Sequence, residues 1–176
     1  MWYHSYMTTV FIRGNSLILR TVTANNKEAI LRVYCQCEDF LALGPEPKAS
    51  LEMVIKDMET SQHEGGCFCG IYHTDGHLLG VVDFILNGFE GKPDIAFLSL
   101  IMIATPFRKQ GVGTETIQFI EREIKKDVHV TEIRSAVQVN NPKAIKFWQK
   151  NGYRIAGKPE LHPDNTTVFQ LRKNLS

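Results

Sequence analysis

Residues 101–114, IMIATPFRKQGVGT, contain the features that decide the fold. They begin inside the segment 95–104, a nearly continuous apolar run whose length and β-branched residues are typical of a strand covered on both faces. This run leads into a loop in which Gly111 and Gly113 allow a tight turn and a close approach of a ligand to the backbone. A helix follows, and the N–H groups and positive dipole end of its first turn form an anion site.

Other classes of phosphate loop fit this stretch less well. A Walker loop needs Gly-Lys followed by Ser or Thr, and the pair Gly113-Thr114 lacks the lysine. A dinucleotide-binding fingerprint needs three glycines and opens the first β-α unit of its domain, whereas this loop lies past the middle of the chain. Arg108 and Lys109 add positive charge, which favours an anion site over the plain alternative of a helix that merely begins at a glycine.

The segment 141–153, NPKAIKFWQKNGY, carries a complete set of helix signals. Asparagine stands at the N-cap, proline at the first helical position and Asn-Gly at the end. Between this segment and the glycine loop, the spacing of apolar residues predicts a helix over 113–126 and a strand over 132–139.

The remaining pattern predicts a mixed α/β sheet in the order β-α-α-β-β-β-α-β-α-β-β, with antiparallel strands first and a β-α-β crossover in the middle. Further strands are expected at 17–23, 67–73, 77–87, 153–158 and 166–171, and further helices at 27–40 and from Ser50 onward. Residues 1–16 are expected to form an N-terminal extension, either a flexible tail or an extra edge strand. Residues 17–175 are expected to form one domain.

Length and charge exclude several classes of protein. A chain of 176 residues is of the size of one domain. Lys and Arg number 20 and Asp and Glu 19, a net charge of +1 that argues against a nucleic-acid partner. No apolar run approaches the roughly 20 residues that span a membrane. The N-terminal residues lack the basic-then-apolar order of a secretory signal, so we expect a cytoplasmic protein.

The four cysteines form two Cys-x-Cys pairs, Cys35/Cys37 and Cys67/Cys69. A four-thiolate zinc site is one interpretation, but the commoner zinc knuckles use Cys-x-x-Cys. Cys37 continues a helical apolar stripe, and the second pair alternates along a strand-like run, which favours buried free thiols. The histidines show no His-Glu-x-x-His spacing, so we expect no metal.

The glycine loop and the segment 141–153 together resemble the GNAT superfamily of acyl-CoA-dependent N-acyltransferases. Residues 108–113, RKQGVG, match its signature R/Q-x-x-G-x-G/A, and the second segment is similar to its N-x-x-A-x-x-F-Y-x-x-x-G-F block. The resemblance covers about residues 17–173. It implies a mostly antiparallel central sheet that is splayed at the CoA site. It also implies transfer of an acetyl group from acetyl-CoA to a primary amine by direct nucleophilic attack.

The resemblance gives each matched segment a role in holding acetyl-CoA. The backbone of Ile101, Met102 and Ile103 would hydrogen-bond the pantetheine arm and present an amide to the thioester oxygen, which is oxyanion-type stabilisation. The pyrophosphate would be held by the backbone amides of Arg108, Lys109, Gln110, Gly111, Val112, Gly113 and Thr114. Asn141 would contact the CoA arm from the next helix. The strands carrying Ile103 and Val139 would splay apart and admit the acyl chain.

The reaction also needs a proton acceptor, because a free ammonium has a pKa of about 10 and must be deprotonated before it attacks. A carboxylate or a water relay can take that proton. Asp83 is the candidate base, because it interrupts the apolar run 78–86 and a lone acid there needs a partner or a purpose. The alternative is an edge-strand acid facing water. Glu38 and Asp39 lie where related enzymes shape the acceptor pocket.

Trp148 departs from the family pattern. Many members have a tyrosine there that protonates the leaving thiolate, and an indole N–H cannot supply a proton at neutral pH. A thiol pKa of about 8.5 lets a thiolate leave with little help. We therefore place Trp148 at the CoA site without an acid role, or in the core, and note Tyr34 and Tyr153 as alternative acids. The missing tyrosine also leaves open a CoA-binding regulatory or sensor module with lost or minor catalysis.

The acceptor is expected to be a small-molecule amine. Its pocket would be built from residues 40–47, the loop at Phe89 and residues 161–165. The last strand could pair with the edge of a partner, so we expect a monomer or a homodimer.

Overall fold

A sheet of nine strands is the frame of the computed structural model, which describes residues 11–13 and 16–175. The strands are β1 (Phe11–Arg13), β2 (Leu17–Thr21), β3 (Cys67–His73), β4 (Leu78–Ile85), β5 (Ile95–Ile103), β6 (Glu132–Gln138), β7 (Arg154–Ile155), β8 (Glu160–Leu161) and β9 (Thr167–Asn174). The helices are α1 (Lys27–Cys35), α2 (Glu38–Leu41), α3 (Leu51–His63), α4 (Val112–Ile124) and α5 (Pro142–Lys150). The predicted mixed α/β class is confirmed.

Strand pairs in the described part of the chain are antiparallel with one exception. The order across the sheet is β1-β2-β3-β4-β5-β6-β9-β7, and β8 also pairs with β9. β5 and β6 are parallel, and α4 provides the crossover connection that a parallel pair requires. The predicted mostly antiparallel sheet with one β-α-β unit is therefore confirmed.

The local sequence pattern does not determine two short strands, β1 and β8. β1 pairs with β2 as an extra edge strand, which is the second of the two alternatives for the segment 1–16. Residues 1–10, 14 and 15 of that segment lie outside the described residues. β8 lies in a segment expected to be a loop and pairs with β9 through two residues only. A strand this short depends on its neighbour rather than on its own residues.

The single helix expected over residues 27–40 is divided into α1 and α2. The division follows from contacts made by the loop after β5. The carbonyl oxygen of Gln36 accepts hydrogen bonds from Thr105 Oγ1 at 2.5 Å and from Arg108 Nη2 at 3.4 Å. A helix ends where its carbonyls find partners outside the helix. Partners about 70 residues away cannot be read from local periodicity.

Two apolar clusters cover the two faces of the sheet. Consecutive residues of β4 alternate between them, as the two-residue period of a strand requires. Val81 packs on the face covered by α1 and α3, and Val82 packs on the face covered by α4 and α5. Each helix therefore covers one defined face of the sheet, and a side chain at the centre of the sheet contacts the helices of one face only.

β5 and β6 separate part-way along their length. Their register runs from Ile95 opposite Glu132 to Leu98 opposite Ser135 and then stops. At the same level β4 and β5 contain a bulge, because Asp83 pairs with Leu100 whereas the next residue pairs with Leu98. Ser135 Oγ donates to the carbonyl of Leu98 at 2.8 Å, so a side chain makes the bond at the point of separation. The predicted splay between these strands is confirmed, and we call it the β5–β6 gap.

Candidate functional site

The loop after β5 has the backbone shape of an anion cradle. A single 3-10 turn, Thr105–Phe107, is followed by two residues with left-handed backbone, Lys109 at φ 62° and Gly111 at φ 85°. This conformation is rare for a residue other than glycine. Helix α4 then begins at Val112, and an α-helix leaves the N–H groups of its first turn without helical partners. The loop therefore presents backbone N–H groups beside the positive end of a helix dipole.

Arg108 does not direct its charge into this cradle. Its Nη1 and Nη2 atoms donate to the two carboxylate oxygens of Asp39 at 2.6 and 3.0 Å, and its Nε donates to the carbonyl of Ile103 at 2.8 Å. The hydrogen bond from Arg108 holds the pKa of Asp39 below its usual range. The expected positive charge of Arg108 is thus balanced by Asp39, and its side chain ties α2 to the end of β5.

The acids expected at the acceptor pocket instead position the α2 region. Glu38 accepts hydrogen bonds from Lys48 Nζ at 2.7 Å and from the backbone N–H of Ala49 at 3.1 Å. Glu38 thus closes the loop between α2 and α3, as Asp39 holds α2 against Arg108. Through these contacts both carboxylates hold α2 and the loop after it in position beside the end of β5. Sequence reasoning missed these partners, of which Arg108 is 69 residues from Asp39, and a role of the two acids at the acceptor pocket stays a prediction.

Close backbone contacts fix β5 and α4 in place. A Cβ atom at Gly80 would lie 2.3 Å from the carbonyl oxygen of Met102, so only glycine allows β4 to approach β5 at this point. A Cβ atom at Gly113 would lie 3.2 Å from the ring of Phe147, which brings the first turn of α4 against α5. The first turn of α4 is therefore held against α5 and close to Ile103 at the end of β5, and β5 is held against β4.

Asn141 caps α5 as predicted, since its Oδ1 accepts from the N–H of Ala144 at 3.0 Å. The end of the helix is also as predicted, because Gly152 has a left-handed φ of 88°. Asn141 lies directly after β6, across the β5–β6 gap from the cradle. Its side-chain oxygen is engaged in the cap, so any contact with a ligand would use its amide nitrogen or backbone.

Trp148 is 5% exposed and belongs to the core. Its ring makes edge-on contacts with Phe147 and Tyr153, at centroid distances of 5.7 and 4.8 Å. Of the two interpretations of this side chain, core packing describes the contacts that it makes. A role at CoA would come through the α5 face that it holds in place.

The hydroxyls of the tyrosines considered as replacement acids are both engaged inside the core. Tyr34 donates its hydroxyl proton to Asp57 at 2.6 Å, and Tyr153 donates to Glu121 at 3.0 Å. Burial, followed by the charge of the neighbouring carboxylate, raises the pKa of each phenol. Both hydroxyls are thus committed to buried carboxylates, and neither is poised to release a proton to a thiolate.

Asp83 lies in the centre of the sheet, on the face covered by α1 and α3. It is 9% exposed, and its Oδ1 accepts from Ser61 Oγ at 2.6 Å. Ser99 provides a second hydroxyl hydrogen bond. Burial raises the pKa of Asp83, although both hydrogen bonds oppose the shift. The alternative of an edge-strand acid facing water is wrong, because β4 lies between β3 and β5. Sequence reasoning missed Ser61 and Ser99.

Of the three segments expected to form the acceptor pocket, residues 40–47 lie over the end of β6, beside Thr166. A Cβ atom at Gly44 would lie 3.4 Å from Gln138 Nε2 and 3.9 Å from Thr166 Cγ2. Asn140 Nδ2 donates to the carbonyl of Leu43 at 3.2 Å. Among the described residues, Gln138 Oε1 is the one buried side-chain oxygen or nitrogen without a hydrogen-bond partner. Nothing in the local sequence pattern singled it out.

Phe89 lies on the same side of the sheet as Asp83 and covers the beginning of β5. Its ring stacks on that of Phe97, with centroids 4.0 Å apart and planes at 3°. Arg134 closes this side of β6, since it pairs with Glu132 at 2.5 Å and with Glu90 at 3.5 Å. The loop at Phe89 thus covers the part of the sheet where β5 and β6 are still paired. The β5–β6 gap begins after Leu98, beyond the part that this loop covers.

The two Cys-x-Cys pairs lie in different parts of the fold. Cys37 and Cys69 are buried in the clusters on opposite faces of the sheet, Cys67 is half-buried and Cys35 is exposed. Within residues 11–13 and 16–175, no group of three or more His, Cys, Asp or Glu side chains is arranged to hold a metal ion. In the same part of the chain no helix is long and apolar enough to cross a membrane.

These features define an acetyltransferase of the GNAT class. Residues 21–153 match the family model described as the acetyltransferase (GNAT) family, and the chain belongs to that family. The match contains both sequence blocks, the β5–β6 gap and the cradle. It begins after β1 and ends before β7, β8 and β9, which complete the sheet.

Individual relatives agree with this assignment. A probable N-acetyltransferase, san, of Drosophila melanogaster is 26% identical over 61% of the chain, and the match spans 60% of the fly protein. An S-(2-succino)cysteine N-acetyltransferase of Bacillus subtilis is 24% identical over 72% of the chain and 77% of that protein. The crystal structure of a spermidine N-acetyltransferase from Vibrio cholerae, in complex with CoA and spermine, has the same fold. It has a TM-score of 0.69 and 17% identity, and covers 92% of the chain and 96% of its own.

Proposed function

We propose that the protein transfers an acetyl group from acetyl-CoA to a primary amine of a small molecule. The observation that carries this proposal is the β5–β6 gap, which leads from the cradle at the start of α4 toward the sheet face that holds Asp83. A linear thioester whose far end carries phosphates matches such a path. Family membership supports the same reaction class.

The residues present fit acetyl-CoA. The backbone N–H groups of residues 108–114 suit a pyrophosphate, because amides at a helix N-terminus bind anions without a cationic side chain. Beyond Leu98 the edge of β5 that faces β6 has no strand partner. The backbone of Ile101, Met102 and Ile103 is thus placed to pair with the amides of the pantetheine arm. Asn141 and helix α5, which Trp148 anchors in the core, would close the side of the CoA site opposite β5. Acetyl-CoA supplies an activated acyl group, and its thioester carbon is the point of attack.

Asp83 is proposed as the final acceptor of the amine proton. A primary ammonium must lose its proton to expose a lone pair, and its pKa of about 10 keeps it charged at neutral pH. A carboxyl group with a raised pKa is a better proton acceptor than an ordinary aspartate. Burial provides that shift for Asp83. Its position on the central strand β4, next to β5, places it close to the gap.

The leaving group needs no phenol in this proposal. Trp148 replaces the usual tyrosine, and the hydroxyls of Tyr34 and Tyr153 donate to buried carboxylates. A thiol with a pKa of about 8.5 leaves as a thiolate with little assistance at neutral pH. The nitrogen carries a surplus proton after attack, and that proton is available to the thiolate.

A small acceptor is favoured over a folded protein by the convergence of Gly44, Gln138 and Thr166 over the end of β6. This contact narrows the approach to the gap on the face that holds Asp83. One relative is named for S-(2-succino)cysteine and one structural neighbour for spermidine, both small amines, whereas another neighbour is named for the N-terminus of a ribosomal protein. We further propose that the protein works in the cytoplasm, as a monomer or homodimer, which its four free thiols support.

The second candidate function is a CoA-binding regulatory or sensor module, and the tryptophan at position 148 favours it. Both functions require that acetyl-CoA bind. Only the enzyme releases CoA at a rate that depends on an amine.

A thermal-shift titration with acetyl-CoA, CoA and ATP tests binding, and CoA release with a panel of amines tests turnover. The panel contains spermidine, S-(2-succino)cysteine, lysine, n-butylamine and a short peptide with a free N-terminus. Ligand at about 100 times its dissociation constant adds about 2.7 kcal/mol of stability. That corresponds to a rise in Tm of several degrees with acetyl-CoA and CoA but not with ATP. CoA release that depends on a small amine supports the enzyme, and binding without release supports the sensor.

A matched pair of glycine variants shows whether the cradle is the binding site. Gly111 and Gly157 have almost the same left-handed φ, 85° and 87°, and a Cβ atom at either position would meet no other atom within 4 Å. Gly111→Ala and Gly157→Ala therefore cost similar backbone strain, of about 1–2 kcal/mol. We expect only Gly111→Ala to weaken acetyl-CoA binding. Equal affinities for the two variants would contradict the assignment of the cradle to the pyrophosphate.

A further inference from the structure

Ser99 occupies a singular position in β5. It is the one polar residue in a strand whose other eight residues are apolar. It is also the extra residue of the bulge, since Asp83 pairs with Leu100 and Phe84 pairs with Leu98. The parallel register with β6 ends at Leu98, so Ser99 is the first residue of β5 that borders the gap. A bulge re-aims the side chain that it contains.

Ser99 borders the gap, and its side chain contacts the buried acid. It is exposed although Leu98 and Met102 in the same strand are 2% and 3% exposed. It also makes a side-chain hydrogen bond to Asp83. Asp83 has a second hydroxyl partner, Ser61, but that residue lies in α3 and is 2% exposed. Two serines therefore contact one carboxylate, and Ser99 is the one that is exposed and lies on the strand bordering the gap.

Asp83 needs an intermediary to receive a proton from a substrate. With 9% exposure and a hydroxyl bond at 2.6 Å, its carboxylate offers little surface to an amine. A serine hydroxyl has one proton to donate and lone pairs to accept another. It can therefore take a proton on one side while it gives its own proton to the other side.

We propose that Ser99 relays the proton of the acceptor amine to Asp83. This rests on the proposed function. The ammonium nitrogen gives one proton to Ser99 Oγ while the Ser99 hydroxyl proton passes to an oxygen of Asp83. The neutral nitrogen then attacks the thioester carbon, so that a C–N bond forms and the C–S bond breaks. The second nitrogen proton goes to the departing thiolate, and Asp83 returns its proton to water.

Other ionisable groups face this carboxylate from the elements packed on it. From α3 and its end come Asp57 and Glu64, and from α1 comes Tyr34, whereas the thiols of Cys67 and Cys69 in β3 lie on the opposite face of the sheet. None of these is a cation. Among the residues that the structure describes, the relay therefore ends at an acid without an ion-pair partner, and the two serine hydroxyls are the groups that stabilise its charged form.

Three variants separate a relay from a merely structural contact. Ser99→Ala removes the hydroxyl at the gap, Ser99→Thr retains it, and Ser61→Ala is the matched control that removes the hydroxyl on α3. The substrate is the panel amine that the wild type acetylates fastest. The readouts are kcat and kcat/KM from about pH 5 to pH 9, together with the Tm rise given by acetyl-CoA.

We expect Ser99→Ala to lower the plateau of kcat about 10- to 100-fold, the lower part of the range for a general acid–base group. Its Tm rise with acetyl-CoA should match that of the wild type. Ser99→Thr should stay within about threefold of the wild type. Ser61→Ala should keep the plateau, whereas its acidic limb moves to higher pH because one bond to the charged form is lost.

Three outcomes would overturn the relay. The first is Ser99→Ala with a wild-type plateau. The second is Ser61→Ala with a loss as large as that of Ser99→Ala, which would make both hydroxyls simple supports of Asp83. The third is a loss in Ser99→Ala that follows from weaker acetyl-CoA binding. No CoA release by the wild type with any amine would instead overturn the proposed function, and the relay with it.

Discussion

At the scale of single residues, the environment of Asp83 shows how the fold assigns chemistry to an ordinary side chain. The sequence marks it only as an acid within an apolar strand. The structure buries it at 9% exposure, and burial raises its pKa against the opposing effect of two hydroxyl bonds. A buried acid with a raised pKa costs stability where it is ionised. The group that makes the site useful is thus one that weakens the fold.

This cost has a definite sign with pH. Because the folded pKa of Asp83 is raised, its contribution to stability is fully present below the unfolded pKa of about 3.9 and is lost as pH rises through the folded pKa. We expect Asp83→Asn to remove this loss and to raise Tm relative to the wild type at neutral pH. The same variant should lower kcat about 100-fold or more. Thermal unfolding from about pH 4 to pH 8 and steady-state CoA release measure the two effects.

Asp127→Asn is the control for this experiment. Asp127 is partly exposed, and a bond from the N–H of His129 holds its pKa below the usual range. It is therefore ionised over the upper part of the pH range tested, where Asp83 is expected to titrate. Its replacement should leave the slope of Tm against pH unchanged above about pH 4. A wild-type slope in Asp83→Asn would contradict the assignment of this pH dependence to Asp83.

At the scale of elements, the site depends on α2, a helix of four residues that cannot be stable alone. Two ion pairs hold it. Arg108 donates to both carboxylate oxygens of Asp39 and also to the carbonyl of Ile103. Lys48 pairs with Glu38 through its exposed ammonium group alone. The clamp formed by Arg108 thus links α2 to the strand that borders the gap.

The two pairs should differ in their effect on stability. Arg108→Lys keeps the charge but loses the forked geometry and the bond to Ile103, so we expect a loss of about 1 kcal/mol, or about 2–4 °C in Tm. Lys48→Met, in the exposed pair, should leave the Tm nearly unchanged, because solvent screens such a pair. Thermal unfolding of both variants provides the comparison. Equal losses would mean that the second partner, the Ile103 carbonyl, contributes nothing.

At the scale of the whole molecule, one buried network joins the end of the chain to the helix that carries the cradle. Lys173 of β9 donates to both oxygens of Glu121 in α4, at 2.8 and 2.7 Å, and to the carbonyl of Asn151 at 2.8 Å. Tyr153 donates to the same glutamate. Glu121 is 7% exposed. The negative charge of Glu121 in the core is therefore balanced by Lys173, which reaches it only when β9 has paired with the rest of the sheet.

Lys173→Met should destabilise the molecule strongly, because it leaves the carboxylate of Glu121 buried without its cation. Breaking a buried pair from one side costs about 3–5 kcal/mol, which corresponds to a fall of about 6–20 °C in Tm at this size. Lys126→Met is the matched control, since Lys126 pairs with Glu123 near the end of α4 at 71% side-chain exposure and should cost about 0–1 kcal/mol. The double variant Glu121→Gln/Lys173→Met should recover part of the loss. A single variant with the Tm of the wild type would show that this charge needs no partner.

Much of the molecule was determined by the sequence itself. The glycine loop, the N-cap and terminal glycine of α5, the apolar run of β5 and the order of the main elements follow from local chemistry. Backbone conformation, capping and side-chain periodicity act over a few residues, so they are legible without a fold. The same blocks carried the family resemblance, and with it the expectation of a splayed sheet.

Tertiary structure alone decided which side chains work together. Arg108 was expected to face phosphate and instead holds Asp39, 69 residues away. The break between α1 and α2, the partners of Asp83, and the position of Ser99 at the start of the gap all depend on strand register and on contacts between distant segments. Burial, and with it the pKa of Asp83, exists only once the sheet and α3 have closed around the carboxylate. These quantities arise from three-dimensional packing, which no local pattern encodes.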